Sequence, residues 1–215
     1  MKSKTVLAVE TSTSVGSVAL RSGNQLLAEA TWNKSKSHGE LLIPNIVTCL
    51  DEAKLGIEHI DIFAAGLGPG SFTGIRIALA TTKAFAYANH KAAFGCDSMR
   101  ILAYPIPRSK KKLLCFQNAY SGLIYMSQFT AQESFWRQDQ SPCLISTQRL
   151  RETDFSQTIC AGDFECLDEE TLSLIPESAR PGSSHDGYQT PSASSLAEMA
   201  LSPEYEEGLC EWTDL

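Results

Sequence analysis

Val9-Glu10-Thr11-Ser12-Thr13 puts a carboxylate and three hydroxyls in a turn between two apolar runs. Such a turn can aim backbone N–H groups and side-chain oxygens at the phosphates of a nucleotide, with the acid holding a metal through water. It can equally be a tight hairpin satisfied by its own short polar residues. Some fifty residues on, Gly66-Leu67-Gly68-Pro69-Gly70-Ser71-Phe72-Thr73-Gly74 is a second candidate cradle. It lacks the G-K-[ST] ending of a P-loop, and Ser71 stands where G-x-G-x-x-G requires its third glycine. Helix N-termini attract anions, yet Ser71 and Thr73 read first as caps for the helix that follows.

Other catalytic constellations are thin. His38, His59, His90 and His185 are scattered, with no H-x-x-x-H and no H-E-x-x-H, so a metal hydrolase site lacks its ligands. There is no G-x-S-x-G, and no cysteine stands beside a plausible base. His38 reads as a surface or partner-facing residue in the first turn of a helix. No catalytic residue and no metal ligand is assigned.

These stretches need elements to position them. Thr5 to Val9, Ser17 to Arg21 and Leu26 to Thr31 read as three strands joined by turns. Ser37-His38-Gly39-Glu40 has the spacing of a capping box. The helix it opens carries Leu42, Ile46, Leu50 and Ala53, with Ile43 and Val47 beside them, to about Lys54. Ile60 to Leu67 is a buried strand; the glycine turn then delivers a helix over Ser71 to Asn89. A strand at Ala92 to Gly95 and a helix through Ala103, capped by Asp97 or Ser98, close the first half. Beyond Pro105 and Pro107, strands at Leu113–Phe116, Leu123–Phe129 and 158–163, with a short helix over Thr147–Thr153, predict a β-rich second half. A loosely held connection is expected over 176–195, a last helix over Ser194–Leu201, and a fraying acidic tail. The whole is α/β in two lobes, 1–104 and 105–215.

The helix after the glycine turn is unusual in its surface. Gly74, Ala78, Thr82 and Ala86 recur every four residues, and Ala80, Ala84 and Ala88 make a second small row. Rows at i and i+4 stack on one face, so another backbone can approach closely. Between Ile75 and Asn89 only Arg76 and Lys83 are charged, whereas a helix with one solvated side carries more charge. Both sides therefore want cover, from the chain's own sheet and from a second polypeptide, with Ile75, Leu79 and Phe85 as larger anchors.

Bulk properties agree with a globular chain that can bury a real core: 215 residues, 43% apolar and 20% charged. A net charge of −7 argues against a large nucleic-acid footprint. The dense basic run Arg108-Ser109-Lys110-Lys111-Lys112 reads as a solvated loop or strand entry, not an RNA site. Seven cysteines without a C-x-x-C pair fit reduced thiols in a cytoplasmic chain, and no signal peptide or membrane span is expected.

The two turns, in this order and with the Ser37-His38 helix between them, resemble the bacterial TsaB (YeaZ) family across residues 5 to 103. The resemblance implies an actin-like, sugar-kinase-like ATPase fold with ribonuclease H-like lobes. It implies a non-catalytic paralogue of TsaD, the subunit that installs threonylcarbamoyl on N6 of adenosine 37 in tRNAs reading codons beginning with A. TsaD and the ATPase TsaE are the implied partners, tRNA is met only indirectly, and no membrane is involved. A homodimer through the same N-lobe helices is the alternative assembly. The catalytic relative carries an H-x-x-x-H metal pair where this chain has His38 and Leu42.

Carried over residue by residue, the partner interface comprises Leu42, Ile46, Gly74, Ile75, Ala78, Leu79, Thr82 and Ala86. A vestigial nucleotide site comprises Glu10, Thr11, Ser12, Gly68 and Gly70, with no cofactor held firmly by this chain and ATP, ADP and Mg belonging to the assembled complex. The chain departs from the family at Asn118-Ala119-Tyr120, where D-A-R is usual, and at Pro203-Glu204-Tyr205-Glu206-Glu207, which lacks the arginine of P-x-Y-x-R. The rival reading is an independent enzyme of the same fold, either a nucleotide-dependent kinase or a peptidase.

Overall fold

The computed structural model describes residues 3–33, 37–119, 121–180, 190–211 and 213–215. It divides into two units, 1–101 with 191–215, and 102–190. The first is built on β1 (Thr5–Glu10), whose six residues are all buried because it is flanked on both edges. It pairs antiparallel with β2 (Val15–Ser22), which pairs antiparallel with β3 (Gln25–Asn33). On its other edge it runs parallel to β4 (Ile62–Gly66), and β4 to β5 (Ala92–Cys96). A strand enclosed on both sides shows no apolar alternation, which is why Val6 to Val9 reads as one continuous run.

The period of two still divides the cover. Leu7 and Val9 share a core with Leu42 and Ile46 of α1 (His38–Ala53) and with Ala78 and Ala86 of α2 (Phe72–Asn89). Val6 and Ala8 are left for the opposite face. α3 (Ser98–Ala103) begins where Asp97 Oδ1 accepts the Met99 and Arg100 N–H groups. Ser71 Oγ accepts the Gly74 N–H, so the sequence-predicted cap of α2 is present. The capping box at Ser37 is not: among the described residues its side chain makes no cap hydrogen bond, and α1 starts at His38.

The second unit is a sheet of β6 (Lys112–Asn118), β7 (Leu123–Ala131), β8 (Trp136–Gln138) and β10 (Thr158–Gly162), in the order β10-β6-β7-β8, with β9 (Cys143–Ser146) also paired to β7. Phe116, Ile124, Leu150 and Cys160 form its core with α4 (Thr147–Leu150) and the segment after it. β8, β9 and α5 (Glu169–Leu174) have no counterpart in the sequence reading; they are too short for a period to show.

The C-terminus is the main correction. Residues 191–215, assigned above to the second lobe, return to the first unit. The Ala193 N–H donates to Ser17 Oγ at 2.9 Å and Arg21 pairs with Glu198 at 2.7 Å, seating α6 (Ala193–Met199) on β1 and β2. The tail expected to fray instead buries Tyr205, pairs Arg100 with Glu207 at 2.6 Å and adds β11 (Leu209–Cys210) antiparallel to β5. Of the loose connection predicted over 176–195, positions 181–189 lie outside the described residues.

Candidate functional site

The two quoted turns meet. β1 delivers Glu10-Thr11-Ser12 and β4 delivers the glycine turn, because the two strands lie side by side in parallel register. The Ser71 N–H donates to the Ser12 carbonyl at 2.7 Å, and Thr11 Oγ1 donates to the Gly74 carbonyl at 2.8 Å. Gly68 takes φ +84° and Gly70 φ +153°, a region in which L side chains are strained. Glycine is also demanded by space: a Cβ at Gly70 would collide with the Ser12 carbonyl, at Gly74 with the Thr11 carbonyl and at Gly66 with the Glu10 carboxylate. All five residues of the expected nucleotide site, Glu10, Thr11, Ser12, Gly68 and Gly70, are therefore brought into one knot.

Within that knot the polar groups serve one another. Glu10 is wholly buried; its Oε1 accepts the Ser12 N–H at 2.6 Å and its Oε2 accepts Ser98 Oγ–H at 3.1 Å. Ser98 also exchanges hydrogen bonds with the backbone of Gly68, at 3.1 Å to Oγ and 2.7 Å from its own N–H. Burial pushes the Glu10 carboxyl above its ordinary value, and the hydrogen bonds from Ser12 and Ser98 only partly oppose that. The Glu10 carboxylate is thus engaged by protein atoms, whereas the Ser12 hydroxyl is buried without a hydrogen-bond partner among the described residues. Ser98 was not among the sequence candidates, since it lies 88 residues from Glu10 and no local pattern marks it.

His38 is the clearest correction. It is buried, not on the surface. The Trp32 indole N–H donates to Nδ1 at 2.9 Å, which leaves the hydrogen on Nε2 to donate to the Thr13 carbonyl at 2.8 Å. Gly16 makes room for that indole, since a Cβ there would strike the Trp32 ring. Both ring nitrogens are thus committed, and four residues on, Leu42 lies in the apolar core. Among the described residues no three His, Cys, Asp or Glu side chains gather where they could hold a metal.

The interface residues divide differently from the sequence reading. Leu42, Ile46, Gly74, Ala78, Thr82 and Ala86 are buried against the chain's own sheet and core, and Ile75 and Leu79 are half-buried. The small row at 74, 78, 82 and 86 serves close approach of α2 to β4 and to the Thr11 turn. The outward side falls on the second small row, Ala80, Ala84 and Ala88, with Phe72 at 73% and Tyr87 at 58% exposure. On α1 the outward residues include Ile43 at 46% and Val47 at 50%, and the two helices pack against each other. The missed signal was the width of the apolar arc on α1: Ile43 and Val47 lie beside the Leu42–Ile46 stripe, wider than one buried face needs.

The thiols are inert where they are buried. Burial holds Cys96 and Cys160 up to about 12, far from thiolate at neutral pH. No helix among the described residues is long and apolar enough to cross a membrane.

The family described as TsaD, tRNA N6-adenosine threonylcarbamoyltransferase, matches residues 25–171. A Buchnera aphidicola protein named tRNA threonylcarbamoyladenosine biosynthesis protein TsaB is 28% identical over 150 residues, 68% of this chain and 71% of the relative. The Escherichia coli protein of that name is 23% identical over the same length, covering 68% of this chain and 64% of its own. Mycobacterial relatives match over a shorter span, 32% identical over 97 residues and 46% of their length. The solved YeaZ of Pseudomonas aeruginosa superposes with a TM-score of 0.79 over 98% of this chain and 96% of its own, at 24% identity. A second Pseudomonas aeruginosa structure, described as similar to peptidase YeaZ, gives 0.80 at 23% identity, over 99% of this chain and 97% of its own. The fold is therefore that of these YeaZ structures.

Proposed function

The chain belongs to the TsaB (YeaZ) family, whose place is tRNA threonylcarbamoyladenosine biosynthesis, and from that premise we propose that it serves as a non-catalytic scaffold subunit. It binds a TsaD-like catalytic subunit through the outward side of α1 and α2, works with a TsaE-like ATPase, and supports formation of N6-threonylcarbamoyladenosine at position 37 of tRNAs reading codons beginning with A. The observation that carries this reading is the pair His38 and Leu42. The imidazole is locked between Trp32 and Thr13, and the position one turn on is a core leucine, so the helix that opens here is spent on packing instead of ligation.

The outward apolar side supports the second half. Ile43 and Val47 on α1 and Ala80, Ala84 and Tyr87 on α2 are exposed on two helices that pack against each other, with Arg76 in the same outward row of α2. Covering that side removes apolar area from water at about 25 cal/mol per Å², and the small alanines let a partner helix come close. A second copy of the chain is the competing occupant, in the absence of the catalytic subunit. Nucleotide and Mg are assigned in this reading to the assembled complex, since the Glu10 carboxylate is taken up by Ser12 and Ser98.

Reconstitution tests the reading. An unmodified tRNA transcript is incubated with the catalytic subunit, the ATPase, ATP and the other substrates of the modification, with and without this chain. The modified nucleoside is expected to form only with the chain present, and the chain alone forms none. Full modification without the chain, or turnover of ATP by the chain alone, contradicts it.

A further inference from the structure

The arch between α3 and β6 concentrates positive charge on an acidic protein. Arg108, Lys110, Lys111 and Lys112 are four of the 18 lysines and arginines in a chain of net charge −7. Elsewhere among the described residues several cations are matched by carboxylates, while Lys4, Lys54, Arg76 and Lys83 stand singly along the first unit. Arg21 pairs with Glu198, Lys91 with Asp61, Arg100 with Glu207, Arg137 with Asp139, Arg149 with Glu152, and Arg151 with Asp168 and Glu170. Among the described residues none of the four in the arch is in an ion pair, and Arg108, Lys110 and Lys112 are exposed.

The arch is also held in place. Ile106 is buried and its carbonyl accepts the Trp136 indole N–H at 2.9 Å. At the far end the Lys112 N–H donates to the Gln157 carbonyl at 3.0 Å, and between them the Lys111 N–H donates to Ser109 Oγ at 3.2 Å. Strand register puts two carboxylates at the same end of the sheet, Glu133 in the β7–β8 turn and Asp154 before β10. Asp154 is engaged by the Ser156 N–H at 2.9 Å, and neither acid reaches ion-pair distance of the four cations. Four like charges on a pre-ordered backbone repel one another, and a bound polyanion relieves that at little ordering cost.

We propose that residues 108–112 form a phosphate-backbone contact for the tRNA, one that positions the nucleic acid without reading its bases. This rests on the tRNA-modification reading above and adds a direct contact to it, where the resemblance implies only an indirect one. Three lysines present point charges, not paired donors matched to base edges, so the contact is independent of sequence. The acidic remainder of the surface repels the same ligand, which confines the contact to the arch and makes it sensitive to salt.

The test uses the full chain, without partner subunits, and a fluorescently labelled unmodified tRNA transcript, with anisotropy recorded at rising salt. Arg108→Gln/Lys110→Gln/Lys111→Gln/Lys112→Gln is expected to weaken binding about tenfold or more at low salt. It should also flatten the slope of log K against log salt by about 2 to 3. Lys4→Gln/Lys54→Gln/Lys83→Gln, which removes unmatched lysines of the first unit, is expected to change both by much less. A thermal midpoint equal to the parent's confirms that the exposed arch variant folds. No binding by the parent, equal losses in the two variants, or displacement of tRNA by polyglutamate at equal charge overturns the proposal. Because no modification is measured, these failures leave the scaffold reading standing, while failed reconstitution with intact tRNA binding counts against that reading alone.

Discussion

The inward and outward sides of the α1–α2 pair use similar residues for opposite ends. Inward, Gly74, Ala78, Thr82 and Ala86 are small because β4 and the Thr11 turn press on them, and the Glu10–Ser98–Gly68 hydrogen bonds fix the angle at which α2 leaves the sheet. Outward, Ala80, Ala84 and Ala88 are small with nothing of their own lobe above them, beside exposed Ile43, Val47 and Tyr87. A row of small residues thus reports close approach without saying who approaches. The accompanying exposed apolar side chains make that distinction.

Substitutions that separate the two sides should differ most in stability. Ala78→Arg places an unpaired guanidinium in the core and is expected to cost several kcal/mol, enough to prevent folding; a cooperative thermal transition near that of the parent would show that the row faces outward after all. His38→Phe leaves the Trp32 N–H and the Thr13 carbonyl unpaired, at about 1–3 kcal/mol for each, measured by urea denaturation. Ser71→Ala removes the cap of α2 and is expected to cost about 1 kcal/mol.

A pH-dependent effect comes next. The folded Glu10 carboxyl lies above the ordinary 4.5, so its ionisation opposes folding: stability is greatest below 4.5 and declines as pH rises through the raised value. Glu10→Gln keeps the shape and an acceptor for Ser12 while removing that cost. Denaturation at several pH values should find the variant more stable than the parent at neutral pH, with the advantage vanishing in acid. A difference that does not vary with pH would remove the buried carboxylate from the account. Smallest of all, Ala84→Arg on the outward side is expected to shift stability by no more than about 0.5 kcal/mol in the same assay.

Sequence carried the first lobe well for physical reasons. Continuous apolar runs at Thr5–Val9 and 60–67 and a helical period from Leu42 to Ala53 each state their own structure, and Ser71 caps the helix whose start it marks. It failed where partners come from far away. Nothing near His38 foretells Trp32 and Thr13 closing on its ring, nothing near Glu10 foretells Ser98, and a serine-rich segment hid the return of α6 to β2. The row Gly74, Ala78, Thr82 and Ala86, read as wanting cover from a second polypeptide, is buried in its own unit, because periodicity gives the faces of a helix but not which of them meets the sheet. In the second unit, β8 and β9 span three and four residues, too few for alternation to register.

The central claim is that the outward side of α1 and α2 docks the catalytic subunit. Calorimetric titration of a TsaD-like subunit into the parent and into Ile43→Glu/Ala84→Arg measures it directly, with thermal midpoints recorded for both. The account predicts equal midpoints and at least about a thirtyfold loss of affinity in the variant. Equal affinities at equal midpoints would contradict it.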